Sequence, residues 1–156
     1  CLLWEPSPDH MKSDAKEYAN LLEKINVFSP DVDQAEELTG HKNVVDMAAV
    51  FIKWGASIVS IRMGEHGSFL ATKDGLSWQI PAIAKEIVDV TGAGNAYCGG
   101  MLVAFADGVG LPEAALRGSV SASFALEQFG TPKFTDALNE EALNRLNNAK
   151  DRIVKY

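Results

Sequence analysis

No run of about 18 apolar residues occurs in the chain, and its first residues lack a basic segment leading into an apolar core, so neither a membrane span nor a secretion signal is expected. Basic charge is scarce as well. With 14 Lys and Arg against 21 Asp and Glu, the net charge is -7, and there is no basic excess to build a general nucleic-acid or anionic-membrane face. A bound nucleotide remains compatible, because local backbone donors hold phosphate on an acidic protein. Cysteine is confined to Cys1 and Cys98, which is no disulfide framework and suits a reducing, cytoplasmic setting. The three histidines, His10, His41 and His66, fall in predicted loops without metal-ligand spacing, where surface roles are expected, and no Ser-His-Asp grouping supports hydrolysis. Internal repeats and low-complexity tracts are missing too. What is present, in 156 residues of which 47% are hydrophobic, suffices for one substantial core and one domain.

Strand and helix patterns alternate along the chain. Residues 1 to 6 read as a buried strand ending at Pro6, and an opening on Cys1 in mid-strand suggests a piece of something longer. Ser13 is placed to cap a helix through Tyr18, Leu21 and Leu22 to about Lys24. Val27 to Ser29 forms a short strand, Asp31 to Leu38 a short helix stopped near Gly40, and Asn43 caps a helix whose Val44, Met47, Ala48 and Phe51 share one face before Gly55. Ser57 to Arg62 is the clearest strand. The Gly64-Glu65-His66-Gly67 turn leads to Ser68 to Thr72, and Asp74-Gly75 turns that strand into Leu76 to Ile80. Three helices follow, over Gly92 to about Ala106, Pro112 to about Phe129 and Asp136 to about Ala149. This order predicts an α/β sandwich with a mostly parallel sheet and a local antiparallel hairpin. Ligands of such sheets gather beyond the carboxyl ends of the strands, where the Gly-rich turn at 92 to 94 is expected.

That turn carries the most chemistry. In Val88-Asp89-Val90-Thr91-Gly92-Ala93-Gly94-Asn95-Ala96-Tyr97-Cys98-Gly99-Gly100, a small-residue turn separates a β-like run from an apolar helical segment. N–H groups that begin a helix lack an intrahelical partner, and glycine lets an anion approach them without Cβ interference. The alternative is a tight connection whose small residues serve packing.

The stretch resembles the second signature of the pfkB, or ribokinase-like, carbohydrate kinases, which usually reads Asp-Thr-x-Gly-Ala-Gly-Asp, then a small residue, an aromatic and two glycines. A three-layer αβα sandwich of ribokinase-like type is therefore implied. The resemblance covers nearly all of this chain but the second half of a usual member: residues 1–156 would be the nucleotide-binding portion, without the sugar-binding half or the lid. Since dimers of the family usually form through the lid, a monomer is expected.

By the same resemblance, Gly92, Ala93 and Gly94 would stabilise the transferring phosphoryl group by complementing charge on its equatorial oxygens. Ser60-Ile61-Arg62-Met63-Gly64-Glu65-His66-Gly67-Ser68 looks like the family strand and Gly-x-x-Gly turn facing nucleotide phosphates. Gly64 and Gly67 fit. Arg62 stands where threonine is frequent, and its guanidinium would pair with phosphate instead; the plainer reading is a hairpin with an arginine at the sheet end. Asp31 and Gln34 occupy the positions of an Asn-x-x-Glu pair that organises Mg²⁺ and phosphate, often through water, while Asp33, Glu36 and Glu37 read as a solvated acidic face. Asp89 and Thr91 match positions that in some relatives supply oxygens to a K⁺ site, with Gly130 in the matching downstream loop. In purely structural terms, Asp89 ends a strand and Thr91 caps the helix. The small residues Ser119, Ser121, Ala122, Ser123 and Ala125 resemble the helix beside the family's adenine pocket, and otherwise serve helix packing.

Asn95 departs from the pattern. The family's aspartate here accepts the proton of the acceptor hydroxyl, a task an amide does not perform at neutral pH. Three origins would put an amide here: an engineered replacement, a natural non-catalytic relative, or a branch that works with asparagine and finds its base elsewhere; Tyr97-Cys98-Gly99-Gly100 and Ala122-Ser123-Phe124-Ala125-Leu126-Glu127-Gln128 resemble a eukaryotic branch in which asparagine also stands here, which favours a natural branch. The resemblance implies ATP-dependent phosphoryl transfer to a hydroxyl of a sugar or nucleoside, with ATP and Mg²⁺ as cofactors. The alternative is a non-catalytic nucleotide-binding or scaffold protein on the same fold.

Overall fold

The computed structural model describes residues 1–7 and 15–156, apart from the side chains of 15–17. The expected cap at Ser13, and His10, lie outside the described residues. The chain divides into two compact units, one of residues 1–63, 68–79 and 155–156, the other of 64–67 and 80–154.

The first unit is built on strands β1 (Leu3–Trp4), β2 (Val27–Phe28), β3 (Ile58–Arg62), β4 (Ser68–Thr72) and β5 (Ser77–Ile80), which with β6 (Val154–Lys155) form a six-stranded sheet in the order β1-β2-β3-β4-β5-β6. β1 pairs with β2, and β2 with β3, in parallel, with Trp4 opposite Phe28 and Phe28 opposite Val59. β3 and β4 are antiparallel, with Ile58 opposite Thr72 and Arg62 opposite Ser68. The sheet is thus parallel on one side with an antiparallel portion, as its residue pattern implied. β4 turns into β5 through Gly75, held at φ 82°, whose N–H donates to Thr72 O at 3.0 Å; the positive φ accounts for a glycine at that point of the hairpin.

Helices α1 (Ala15–Leu22), α2 (Val32–Thr39) and α3 (Val44–Lys53) belong to this unit. Tyr18, Leu22, Phe28, Ala35, Met47, Phe51, Val59, Ile61 and Phe69 form its buried core. The i, i+4 spacing of Met47 and Phe51 on α3, with Ala48 beside them, puts all three inward. Phe28 and Phe51 meet edge to face at 4.9 Å between ring centroids, an arrangement that adds to their area burial. Asn43 caps α3 as expected, its Oδ1 accepting Val45 N–H at 2.8 Å.

The second unit contains α4 (Ala93–Ala106), α5 (Leu111–Leu126) and α6 (Asp136–Ala149). α4 and α5 approach closely because two positions lack side chains. A Cβ on Gly118 would lie 2.7 Å from Tyr97 O, and one on Gly100 would lie 2.3 Å from Ser121 Oγ. The second glycine of the Gly99-Gly100 pair therefore serves helix packing, and so does Ser121 of the small-residue helix.

Several expected boundaries move. The first strand is confined to Leu3–Trp4, the second ends at Phe28, and β3 starts at Ile58. α5 stops at Leu126 rather than near Phe129. Beyond it the chain turns at Gly130, with φ 75°, and Phe129 is 79% exposed. A short 3₁₀ turn (Lys150–Arg152) and β6 follow α6 without a matching residue pattern; Tyr156 N–H closes on Ser77 O at 3.0 Å. The β-like run before the Gly turn is not a strand. Residues 82–90 are irregular, with Ile87 62% and Val90 69% exposed, because Val88 and Asp89 bond to the end of α5 instead of a sheet neighbour. Among the described residues no helix is long and apolar enough to cross a membrane.

Candidate functional site

In the second unit, the residues singled out around position 92 converge on one helix start. Gly92 is the N-cap of α4 and adopts the left-handed conformation, φ 79° and ψ 0°. A residue with a Cβ would be strained there. No side chain caps this helix, which overturns the reading of Thr91 as its cap. Thr91 is held instead by Asp89, whose Oδ1 accepts Thr91 N–H at 2.9 Å in an Asx-type turn. The Thr91 backbone and hydroxyl hydrogen bonds keep the Asp89 carboxyl below its usual range. Ala93 N–H reaches back to Val90 O at 3.3 Å, and Gly92 O accepts Ala96 N–H at 2.9 Å. The N–H groups of Gly94 and Asn95 belong to the first turn, which has no intrahelical acceptors. Gly92 and Asn95 are exposed, and a Cβ on Gly92 would meet nothing within 4 Å. The helix start is thus open, uncapped and positive, a combination suited to an anion. Asn95, on its first turn, brings a neutral amide with one acceptor and two donors.

The Gly64–His66 3₁₀ turn also lies in this unit. Gly64 and Gly67 have φ 56° and 79°, but they differ in surroundings. A Cβ on Gly64 would meet open space, whereas one on Gly67 would lie 2.0 Å from Ile80 O and 2.8 Å from Ala82 N. Backbone packing therefore requires glycine at 67. Gly64 is the one of the pair with an open face.

The segment entering the Gly turn is tied to α5 and α6. Val88 and Asp89 N–H both donate to Leu126 O, at 2.7 and 3.1 Å, and Lys85 N–H donates to Glu127 Oε1 at 2.7 Å. Arg145 grips Glu127 with Nη1 to Oε1 at 2.9 Å and Nη2 to Oε2 at 2.7 Å. Burial raises the Glu127 carboxyl, yet the bonds from Arg145 and Lys85 outweigh it and hold the group below the usual carboxylate range. The pair has no local trace in the sequence, because Glu127 is the C-cap of α5 and Arg145 lies on α6. Between α5 and α6 runs a groove of about 350 Å³ lined by Arg117, Val120, Ser121, Asn139, Leu143 and Leu146, among others.

The remaining predicted residues fall in the first unit. Asp31 and Gln34 form a reciprocal capping box on α2: Asp31 Oδ1 accepts Gln34 N–H at 2.8 Å, and Asp31 N–H donates to Gln34 Oε1 at 2.9 Å. Gln34 Nε2 then donates to Pro6 O at 3.1 Å, tying α2 to the chain just after β1. Both polar ends of Gln34 are thus used structurally. Asp33, Glu36 and Glu37 are exposed as expected. Arg62 points its guanidinium at Glu5, 2.6 Å away, and donates from Nη2 to Ser29 O at 3.2 Å. Glu5 has no local signal in the sequence, because its partner Arg62 lies on β3, far along the chain. No group of three or more His, Cys, Asp or Glu among the described residues is arranged to hold a metal ion.

The uncapped, glycine-led start of α4 is a position at which a helix favours an anion. Residues 3–137 match the pfkB family of carbohydrate kinases, and the chain belongs to that family. It is 33% identical over 113 residues to the cytidine kinase of Thermococcus kodakarensis, an alignment covering 70% of this chain and 40% of that one. Among solved structures, the ribokinase of Thermotoga maritima superposes with a TM-score of 0.77 at 22% identity, covering 94% of this chain and 48% of that one. The Arabidopsis thaliana ribokinase complexed with ribose and ATP gives 0.71 at 26% identity, covering 82% and 43%. These matches identify the fold as ribokinase-like α/β. The chain spans less than half the length of each of these relatives.

Proposed function

We propose that this chain is the nucleotide-binding portion of a pfkB-type kinase that transfers a phosphoryl group from ATP to a hydroxyl of a sugar or nucleoside. The observation that carries the reading is the uncapped start of α4 behind a left-handed Gly92, in a chain whose relatives include a cytidine kinase and a ribokinase bound to ribose and ATP.

In this reading the N–H groups of Gly94 and Asn95 donate to the oxygens of the phosphoryl group in flight, while Gly92 and Ala93 keep side-chain bulk away. Such donors act on charge that grows in the transition state and are already oriented before it forms. The open face of Gly64 lets the preceding phosphates approach the backbone. The groove between α5 and α6, lined by Val120 and Ser121 of the small-residue helix, is assigned to the nucleoside end of ATP.

Mg²⁺ would neutralise the phosphates and is hard and oxygen-seeking, keeping several waters of its own. The described residues offer it no three-ligand cage, which suits an ion carried mainly by the nucleotide. Asp31 and Gln34 are assigned to capping α2, Arg62 to its pairing with Glu5, and Asp89 with Thr91 to shaping the turn rather than to a K⁺ ion.

Asn95 orients the acceptor hydroxyl with its amide oxygen but does not take its proton. Loss of a general base typically slows a reaction about 100- to 10,000-fold. That chemistry also favours a second reading, in which the protein binds nucleotide without turnover. The test is ATP-dependent phosphorylation of a panel of pentoses, hexoses and nucleosides by the full kinase chain and its Asn95→Asp variant. Transfer that rises by orders of magnitude in the variant supports a kinase lacking its base. No transfer by either protein, with ATP binding intact, supports the second reading.

A further inference from the structure

The ten residues before Gly92 have no helix or strand of their own beyond Pro81, yet the anion-binding turn needs them in one place. Their tethers converge on the last turn of α5. Leu126 O accepts Val88 and Asp89 N–H, and as a helix-terminal carbonyl it has no intrahelical donor. Glu127 Oε1 accepts Lys85 N–H, but a side chain acts as an anchor only if something holds it still.

Arg145 does that. Its two terminal nitrogens engage both carboxylate oxygens, the planar fork that fixes a carboxylate in orientation as well as distance. Arg145 is itself immobilised: Ser123 Oγ accepts from Nη1 at 2.8 Å, Glu141 Oε1 accepts from Nε at 2.9 Å, and the guanidinium lies 4.3 Å from the Phe124 ring centroid. Its side chain is 9% exposed and that of Glu127 16%. Burying such a pair costs desolvation that a hydrophobic pair would avoid, so its energetic case for stability is weak. Its geometry is specific, because it sets one backbone amide of the segment that ends in the anion hole.

We infer that Arg145 and Glu127 are positioning residues for the phosphate site: Arg145 on α6 orients Glu127, Glu127 holds Lys85, and the neighbouring Leu126 contacts carry that placement through Val88 and Asp89 to Thr91 and Gly92. The inference rests on the phosphate reading of residues 92 to 94. It has a consequence that general stability does not share. The helix start contacts the terminal phosphoryl group, so loosening the tether weakens ATP while leaving ADP, which lacks that group, close to its original affinity.

The experiment is calorimetric titration of the chain with Mg-ATP and Mg-ADP for the original protein, Arg145→Lys, Glu127→Gln and Gly94→Glu, with amide hydrogen exchange measured over residues 85–91 and along α4. Arg145→Lys keeps the charge but not the fork; Glu127→Gln keeps the shape but not the charge. The mid-α4 exchange reports whether each variant is folded. The expected result is ATP affinity lower by about tenfold in each, the scale of one charge-assisted hydrogen bond, with ADP affinity unchanged. Exchange at Lys85, Val88 and Asp89 should quicken, while that at Met101 and Ala104 in mid-α4 holds. Equal weakening of ATP and ADP, or unaltered exchange at 85–89 in both variants, would overturn the positioning role. If Gly94→Glu binds ATP as well as the original protein, the phosphate reading itself fails and the inference with it. Loss of binding in Gly94→Glu beside normal ATP binding in the other two variants sinks the inference alone.

Discussion

Gly64 and Gly67 look equivalent in the sequence, as the two ends of a Gly-x-x-Gly turn, and the structure separates them. Both have positive φ, 56° and 79°, so alanine at either position pays about 1–2 kcal/mol for the left-handed backbone. At Gly64 nothing else is added, since a Cβ there meets open space. At Gly67 it would sit 2.0 Å from Ile80 O and 2.8 Å from Ala82 N. Both are backbone atoms that no rotamer change can move, so the chain at 80–82 must shift, which adds about 1–3 kcal/mol. Gly67→Ala should therefore cost about 2–5 kcal/mol and Gly64→Ala about 1–2 kcal/mol. For a chain of this size each kcal/mol lowers Tm by about 2–4 °C, which places Gly64→Ala about 2–8 °C below the original protein and Gly67→Ala about 4–20 °C below it. Thermal unfolding followed by circular dichroism, with the three proteins side by side, reads the difference. Equal losses of Tm, or a Gly67→Ala variant as stable as Gly64→Ala, would refute the assignment of Gly67 to packing and of Gly64 to an open face.

Gln34→Ala removes half of the capping box on α2 and the bond to Pro6 O; a loss of about 1 kcal/mol is expected from chemical denaturation, and Gln34→Glu, which keeps the acceptor for Asp31 N–H, should recover part of it. Acid should weaken the second unit. Burial raises the folded-state carboxyl of Glu127, but the Arg145 and Lys85 bonds outweigh it and leave the group below its ordinary value; Glu141 is lowered through Lys85 and Arg145. Depressed carboxyls contribute stability that is present above the ordinary Glu pKa of about 4.3 and lost as pH falls through the folded value. A Tm profile from pH 7 to 3 should therefore fall at the acid end, and the fall should be smaller in Glu127→Gln.

Much of the fold is legible because its signals are local. The helix over Val44–Lys53 announces itself by Asn43 and by the spacing of Met47 and Phe51, and the hairpin by Asp74-Gly75. The capping box on α2 was equally legible: an Asp followed three residues later by Gln, ahead of Ala35 and Leu38, carries the pattern of a helix start. The same two positions also fit a metal-organising pair, and the hydrogen bonds of the capping box are what separate the two readings. Other features have no local trace. Glu5 with Arg62, and Glu127 with Arg145, are pairs made by folding. Ile87, Val88 and Val90 read as strand because apolar β-branched residues favour one, but no sheet edge takes them up and the end of α5 does. β6 is too short, at Val154–Lys155, to show any period. The Gly92 turn was visible as a candidate phosphate site from glycine and helix chemistry, whereas the Asx-type turn that replaces a Thr91 cap depends on where the Asp89 side chain points.

The central claim is that the start of α4 binds the phosphates of a nucleotide. Its most direct test is calorimetric titration of the chain with ATP, with and without Mg²⁺, beside Gly94→Glu, which places a carboxylate at the helix start. Saturable binding to the original protein that Gly94→Glu abolishes is the expected result; equal binding by both proteins, or none by either, would contradict it.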